Sequence, residues 1–231
     1  MLILAIDTAL DACAAAVLDT ETAELRAQES LLMKRGHAEA LMPLIARVMQ
    51  SAELGFTALD RIAVTTGPGS FTGLRVGISA ARGLALASGK PAVGLTTLSA
   101  YAAAIVSQNK PAPVLSAIDA RHGHVYFQIV AGDGSQLVRP GVASIDEAIA
   151  ASQFGAPHLV GNAASILADR WPKDGPQPVA VDAQPAPDIG WIAWLGAAAN
   201  PETTPARPFY LKAPDAKPAA QKQLAAQAAT S

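Results

Sequence analysis

Cysteine is nearly absent from this chain of 231 residues. Cys13 stands alone, so no intramolecular disulfide, CxxC redox pair or thiolate zinc cage can form, and the expected compartment is reducing, the cytoplasm. Charge is sparse at 16%, and 17 Lys+Arg against 19 Asp+Glu gives a net charge of -2. The basic excess that powers stand-alone binding to phosphate backbones is missing. No run approaches the ~20 apolar residues that span a bilayer, and the N-terminus lacks the basic flank and cleavage site of a signal peptide. Membrane partners are therefore not expected. Aromatic residues make up only 5%. What is abundant is small: hydrophobic residues reach 51%, yet 51 of the 231 residues are alanine. Such a composition suits tight packing, and at about 100 to 200 residues per domain the length allows one large domain or two small ones.

Leu2-Ile3-Leu4-Ala5-Ile6 is a short apolar run ending at Asp7 and Thr8, and Ala14 to Leu18 repeats it after the polar Asp11. The spacing predicts a buried hairpin, then a third strand around Leu25 to Leu32. From His37 to Glu53 the apolar residues Leu41, Leu44, Ile45, Val48 and Ala52 recur at the helical period, with Met42 and Met49 beside the stripe. Pro43 falls inside, so this helix is expected to kink or to start late. Arg61 to Thr66 reads as a strand, and Leu74 to Ser88 as a helix closed by Gly89. Within and just before it, Gly73, Gly77 and Ala81 form a smooth stripe that lets another backbone approach.

Further along, strands are predicted at 91–95, 113–119, 125–130 and 158–160, and helices at 98–107, 145–151, 163–170 and 189–199. Strand and helix alternate, which makes the class α/β. The chain divides into a first unit, 1–110, a second, 111–212, and a disordered tail, 213–231, of Ala, Gln, Lys and Pro with almost nothing to bury.

The strongest chemical signal is Gly67-Pro68-Gly69-Ser70-Phe71-Thr72-Gly73, between a strand and a helix. Glycines bring amides close to a ligand, and a helix start adds partial positive charge, which together make an anion cradle. The segment equally suits a tight turn capped by Ser70 or Thr72, and it is neither the GxGxxG nor the Walker A pattern. Asp7 and Thr8 at the hairpin mouth could hold a metal-bound water beside a phosphate, or close an Asx turn. His37 has Leu41 at i+4, so no two-histidine metal helix is supported, and a cap or first-turn surface place suits it better. Asp119 to His124 concentrates charge and imidazole but fits a hairpin turn. Cys13 reads as a small buried residue, and Trp171, Trp191 and Trp194 as packing. No catalytic nucleophile and base pair and no metal set can be assembled.

Five ordered blocks carry a resemblance: Leu4-Ala5-Ile6-Asp7-Thr8; His37 to Pro43; Gly67 to Gly77; Asp119-Ala120-Arg121 with Val125-Tyr126; and Pro208-Phe209-Tyr210-Leu211-Lys212. Together they resemble the TsaB (YeaZ-type) family, dimerisation subunits of the bacterial tRNA threonylcarbamoyladenosine machinery. The resemblance implies an actin-like ATPase (ASKHA, RNase H-like) fold of two related lobes, the second one reduced. It also implies a non-catalytic scaffold that pairs with a TsaD-like catalytic subunit and works with a TsaE-like ATPase, a homodimer being the other assembly when alone. The catalytic relative carries an HxxxH helix, and here only His37 of that pair is present.

On this footing Asp7, Thr8, Gly67, Gly69, Ser70 and Gly73 are expected as a vestigial phosphate loop, with Asn162 after Gly161 as a nucleotide contact in the second lobe. No nucleotide is expected to be held tightly by the chain alone, ATP or ADP entering only in the complex, and tRNA only through the complex. Leu41, Met42, Ile45, Met49, Leu74, Ile78 and Ala81 are the expected partner-facing residues. The alternative is a nucleotide-dependent phosphotransferase of the same fold acting alone, with Asp7 as metal-water ligand or base.

Overall fold

The computed structural model describes residues 1–211, apart from the side chains of 151 and 152. The tail expected at 213–231 lies outside the described residues. The first sheet holds β1 (Leu2–Asp7), β2 (Ala12–Asp19), β3 (Glu24–Leu32), β4 (Arg61–Gly67) and β5 (Ala92–Thr96), in the order β3-β2-β1-β4-β5. Strand β1 runs antiparallel to β2 and parallel to β4. The second sheet holds β6 (Val114–Arg121), β7 (His124–Val130), β8 (Gln136–Ser144), β9 (His158–Val160) and β10 (Ala180–Asp182), in the order β10-β9-β6-β7-β8. Here β6 is antiparallel to β7 and parallel to β9. Read outward from its first strand, each sheet has the same order and the same strand directions. The two units are therefore topological copies, and the second is the smaller, with β9 and β10 of three residues each.

Pleating sorts the side chains of β1. Leu4 and Ile6 face α1 (His37–Ser51) and α2 (Phe71–Ser88), whereas Ile3 and Ala5 face α6 (Ile189–Ala198). The alanine-rich composition is explained on this second face. Ala5, Ala14, Ala16 and Ala63 form a low floor for α6, so close that a Cβ at Gly196 would overlap Ala63. Helix α3 (Thr97–Val106) lies between the sheets, its Leu98, Tyr101 and Ala102 sharing a core with Val114, Ile118 and Val130. The outer face of the second sheet is covered by α4 (Ile145–Ile149) and α5 (Ala164–Asp169).

Several expectations are corrected. Helix α2 begins at Phe71 and not at Leu74, because the Ser70 hydroxyl caps it by accepting from the Gly73 amide. Pro43 sits inside α1, which still starts at His37 as one helix. His37 is no surface cap: it is buried, with Nε2 3.1 Å from the Leu10 carbonyl oxygen. Strands β8 and β10 were not anticipated, since Pro140 and Gly141 break the alternation of the first and the second is three residues long. The division at 111–212 also fails over its last stretch. Helix α6 packs on the first sheet, and two backbone bonds fasten the end of the described chain there: the Gly94 amide donates to the Thr204 carbonyl at 2.8 Å, and the Phe209 amide donates to the Thr66 carbonyl at 2.8 Å.

Candidate functional site

A cleft of about 550 Å³ opens between the two sheets. One wall is the turn from β4 into α2, with Gly69, Ser70 and Phe71; the other is the end of β6, with Asp119 and Arg121, plus Asn162 after β9. Phe209, Tyr210 and Leu211 close one end. Arg121 is held there in left-handed backbone (φ 64), which costs an L residue energy, and its amide donates to Asp119 Oδ1 at 2.7 Å. The Asp119 amide in turn donates to Asn162 Oδ1 at 2.9 Å.

Of the six residues expected as a phosphate loop, Gly69 and Ser70 line this cleft, whereas Asp7, Thr8, Gly67 and Gly73 do not. Asp7 is fully buried at the end of β1, where Oδ1 accepts from the Ala9 amide at 3.0 Å and from the Thr65 hydroxyl. Burial pushes its carboxyl above the ordinary carboxylate range, and Oδ2 has no partner. The bond to Ala9 is that of an Asx turn, and Asp7 does not line the cleft. Thr8 donates from Oγ1 to the Gly73 carbonyl at 2.7 Å.

The glycines serve the same local packing. A Cβ at Gly69 would overlap the Ala9 carbonyl oxygen, one at Gly73 the Thr8 carbonyl oxygen, and one at Gly77 the Thr8 hydroxyl. Gly67 (φ 116) lies under the Phe209 carbonyl, 2.9 Å from where its Cβ would be. Two amides of the loop are also in use: Ser70 N donates to the Ala9 carbonyl at 2.7 Å and Gly73 N to Ser70 Oγ at 3.3 Å. The loop is bound to the β1–β2 turn through the Ser70 amide. Among the described residues no three His, Cys, Asp or Glu side chains converge as a metal site, and no helix is long and apolar enough to cross a membrane.

The expected partner-facing set is corrected too. Leu41, Ile45, Met49, Leu74, Ile78 and Ala81 are buried in the core beneath α1 and α2, because the sheet covers the stripe that periodicity reveals. Only Met42 of that set is exposed, at 46%. Sequence reading missed Leu86, 86% exposed on α2, and Gly83, whose Cβ would meet nothing within 4 Å. It also missed the joining of Phe71 to Tyr210, ring centroids 5.5 Å apart, with the Arg75 guanidinium 3.9 Å from the Phe71 centroid. The Phe71 and Arg75 spacing of one helical turn was a local signal; nothing local foretold Tyr210.

The sequence model of the family described as TsaD, tRNA N6-adenosine threonylcarbamoyltransferase, matches residues 31–170. The tRNA threonylcarbamoyladenosine biosynthesis protein TsaB of Escherichia coli is 39% identical over 127 residues, 55% of this chain and 54% of that protein. The chain thus spans about half the length of the first curated relatives it matches. Among solved structures, a Pseudomonas aeruginosa protein described as similar to peptidase YEAZ is 26% identical with a TM-score of 0.76, covering 91% of this chain and 99% of that one. A ROK hexokinase from Thermus thermophilus shares the fold, with a TM-score of 0.52 at 14% identity, over 86% of this chain and 99% of the kinase. The fold is the actin-like ATPase fold with its two related lobes, and the chain belongs to the TsaD family as a protein of the TsaB or YeaZ type.

Proposed function

We propose that this chain is a non-catalytic scaffold in tRNA threonylcarbamoyladenosine biosynthesis, which pairs with a TsaD-like catalytic subunit through the outer face of α1 and α2. Gly83 carries the proposal. A glycine inside a helix costs about 1 kcal/mol relative to alanine. Gly69, Gly73 and Gly77 each have a backbone or side chain of this chain pressed against them, while above Gly83 there is open space. Leu86, three residues further along α2, is exposed, and so is Met42 on α1. A bare backbone with an exposed leucine one turn along suits the close approach of a partner's helix, and a partner of related fold offers matching helices.

Other observations support the non-catalytic part. Asp7 is engaged in its own turn, the Ser70 and Gly73 amides are in use, and Leu41, where a second histidine would complete HxxxH, belongs to the core. These features favour the scaffold over a phosphotransferase acting alone, which would need Asp7 and the loop free for substrate. A TsaE-like ATPase as third member, and nucleotide entering only in the complex, complete this reading.

The test is a drop-out reconstitution with tRNA, threonine, bicarbonate, ATP, the adenylate-forming enzyme, the catalytic subunit and the ATPase, scoring the modified adenosine. Product is expected only with this chain present, and none from this chain without the catalytic subunit. Equal product without it overturns the scaffold role.

A further inference from the structure

We propose that the cleft between the sheets is a pocket for an unpaired base of single-stranded RNA, which stacks on Tyr210 at the cleft's rim. The inference rests on the tRNA-related reading above and concerns a surface distinct from the docking face.

The chain has only 11 aromatic residues, 5 Phe, 3 Tyr and 3 Trp, yet Phe71, Tyr126, Phe209 and Tyr210 all line this one cleft. They come from α2, β7 and the segment after α6, so the fold gathers them from three distant stretches. Tyr210 is 43% exposed, although it is stacked on Phe71 and its hydroxyl accepts from Arg75 Nε at 3.5 Å. Such a ring is held in place from one side and left open on another, which is how a stacking platform is made.

Groups that would read or steady a base surround it. Neither Arg75 nor Arg121 forms an ion pair among the described residues. Asn162 spends its Oδ1 on the Asp119 amide, leaving its NH2 for a base edge.

The charge balance selects the kind of ligand. Among the described residues, Asp11 and Asp119 line the cleft with Arg121, and no lysine does. A triphosphate gains little attraction from two carboxylates and one guanidinium, and two of the loop amides, Ser70 and Gly73, are already bonded. A base needs an aromatic face and a few donors, and it delivers only the phosphates of its own strand.

The experiment titrates the full chain into a short RNA stem-loop carrying 2-aminopurine in its loop. Fluorescence is expected to fall on binding as the base stacks. Tyr210→Ala should weaken binding about tenfold, the lower range of one lost base stack, while Tyr210→Phe stays close to wild type. An RNA duplex of equal length should bind worse, and ATP should not displace the loop. Absent quenching, equal binding of the duplex, an unchanged Tyr210→Ala, or displacement by ATP each overturns the proposal, the last assigning the cleft to free nucleotide. Quenching with the wild-type chain decides the matter even where Tyr210→Ala does not fold. If the chain co-elutes with the catalytic subunit and supports product but never quenches the probe, this inference fails while the scaffold role stands.

Discussion

Thr8 and Gly73 are locked together: the threonine hydroxyl donates to the glycine carbonyl at 2.7 Å, and the Thr8 carbonyl occupies the place a Gly73 side chain would need. The glycine loop is thereby a fastening between α2 and the turn after β1. Gly73→Ala forces backbone against backbone and is expected to cost at least about 1–3 kcal/mol, the range of overpacked cores. Gly83→Ala meets open space on the same helix and should stabilise the isolated chain by about 1 kcal/mol. Urea unfolding of the two variants measures this opposition. Equal effects of the same sign would refute the distinction between an internal and an outward glycine.

Arg61 closes the far side of the first sheet. Its Nη1 donates to the carbonyls of Gly196, Ala197 and Ala199 at 2.8, 2.9 and 2.6 Å, where the last turn of α6 has no further amides to offer. Arg61→Ala should lose about 1.5–3 kcal/mol, the range for hydrogen bonds to a charged group. Hydrogen exchange should rise first in residues 195–199. Protection there equal to wild type would remove this role from Arg61.

His158 sets a pH dependence. It is buried on β9, neither ring nitrogen has a partner, and burial, with Lys110 nearby, lowers its pKa from the ordinary 6.5. The unfolded chain therefore takes up a proton first as pH falls, and that uptake favours unfolding. This contribution is absent above pH 6.5 and grows as pH drops from there toward the lower folded value. Stability measured from pH 8 to 5 should decline, and His158→Leu should flatten the decline. A parallel slope in the variant would locate the proton elsewhere.

Asp7 works with the opposite sign. Its pKa is raised by burial, so the unfolded chain ionises first as pH rises above 3.8, and the buried carboxylate subtracts stability at neutral pH. Asp7→Asn keeps an oxygen for the Ala9 amide and removes the charge. The variant should be more stable than wild type at pH 7 in chemical denaturation, and it should still support product in the reconstituted system. Loss of product with the fold intact would return Asp7 to the chemistry.

The fold was legible where local pattern and burial agree. The run Leu2 to Ile6 alternates between two covered faces, and β1 and β2 formed where it and Ala14 to Leu18 predicted. Gly89 ends α2 in left-handed backbone, as a glycine there should. The site was less legible, because Tyr210 meets Phe71 across 139 positions of sequence and Asn162 meets Asp119 across 43. Such pairs leave no periodic trace. The outward face of α1 and α2 was misplaced for a related reason: hydrophobic periodicity marks what a helix buries, and in a single chain that is its own sheet. Under the proposed pairing, the signal for a partner lies in what periodicity discards, a glycine at 83 with open space above it and an exposed Leu86.

That difference decides between two glutamates on one helix. Ile45 is fully buried among Leu41, Leu44 and the strands beneath, so Ile45→Glu places an unpaired charge in the core and should unfold the chain, not merely part it from a partner. Met42 lies on the open side of α1, where a carboxylate stays in water and costs the fold almost nothing. Met42→Glu, and Leu86→Glu on α2, should keep the circular dichroism and urea midpoint of wild type while co-elution with the catalytic subunit is lost, since pairing would have to bury the new charge. Folded Ile45→Glu would contradict the core described here. Undiminished co-elution of both surface variants would move the partner to another face.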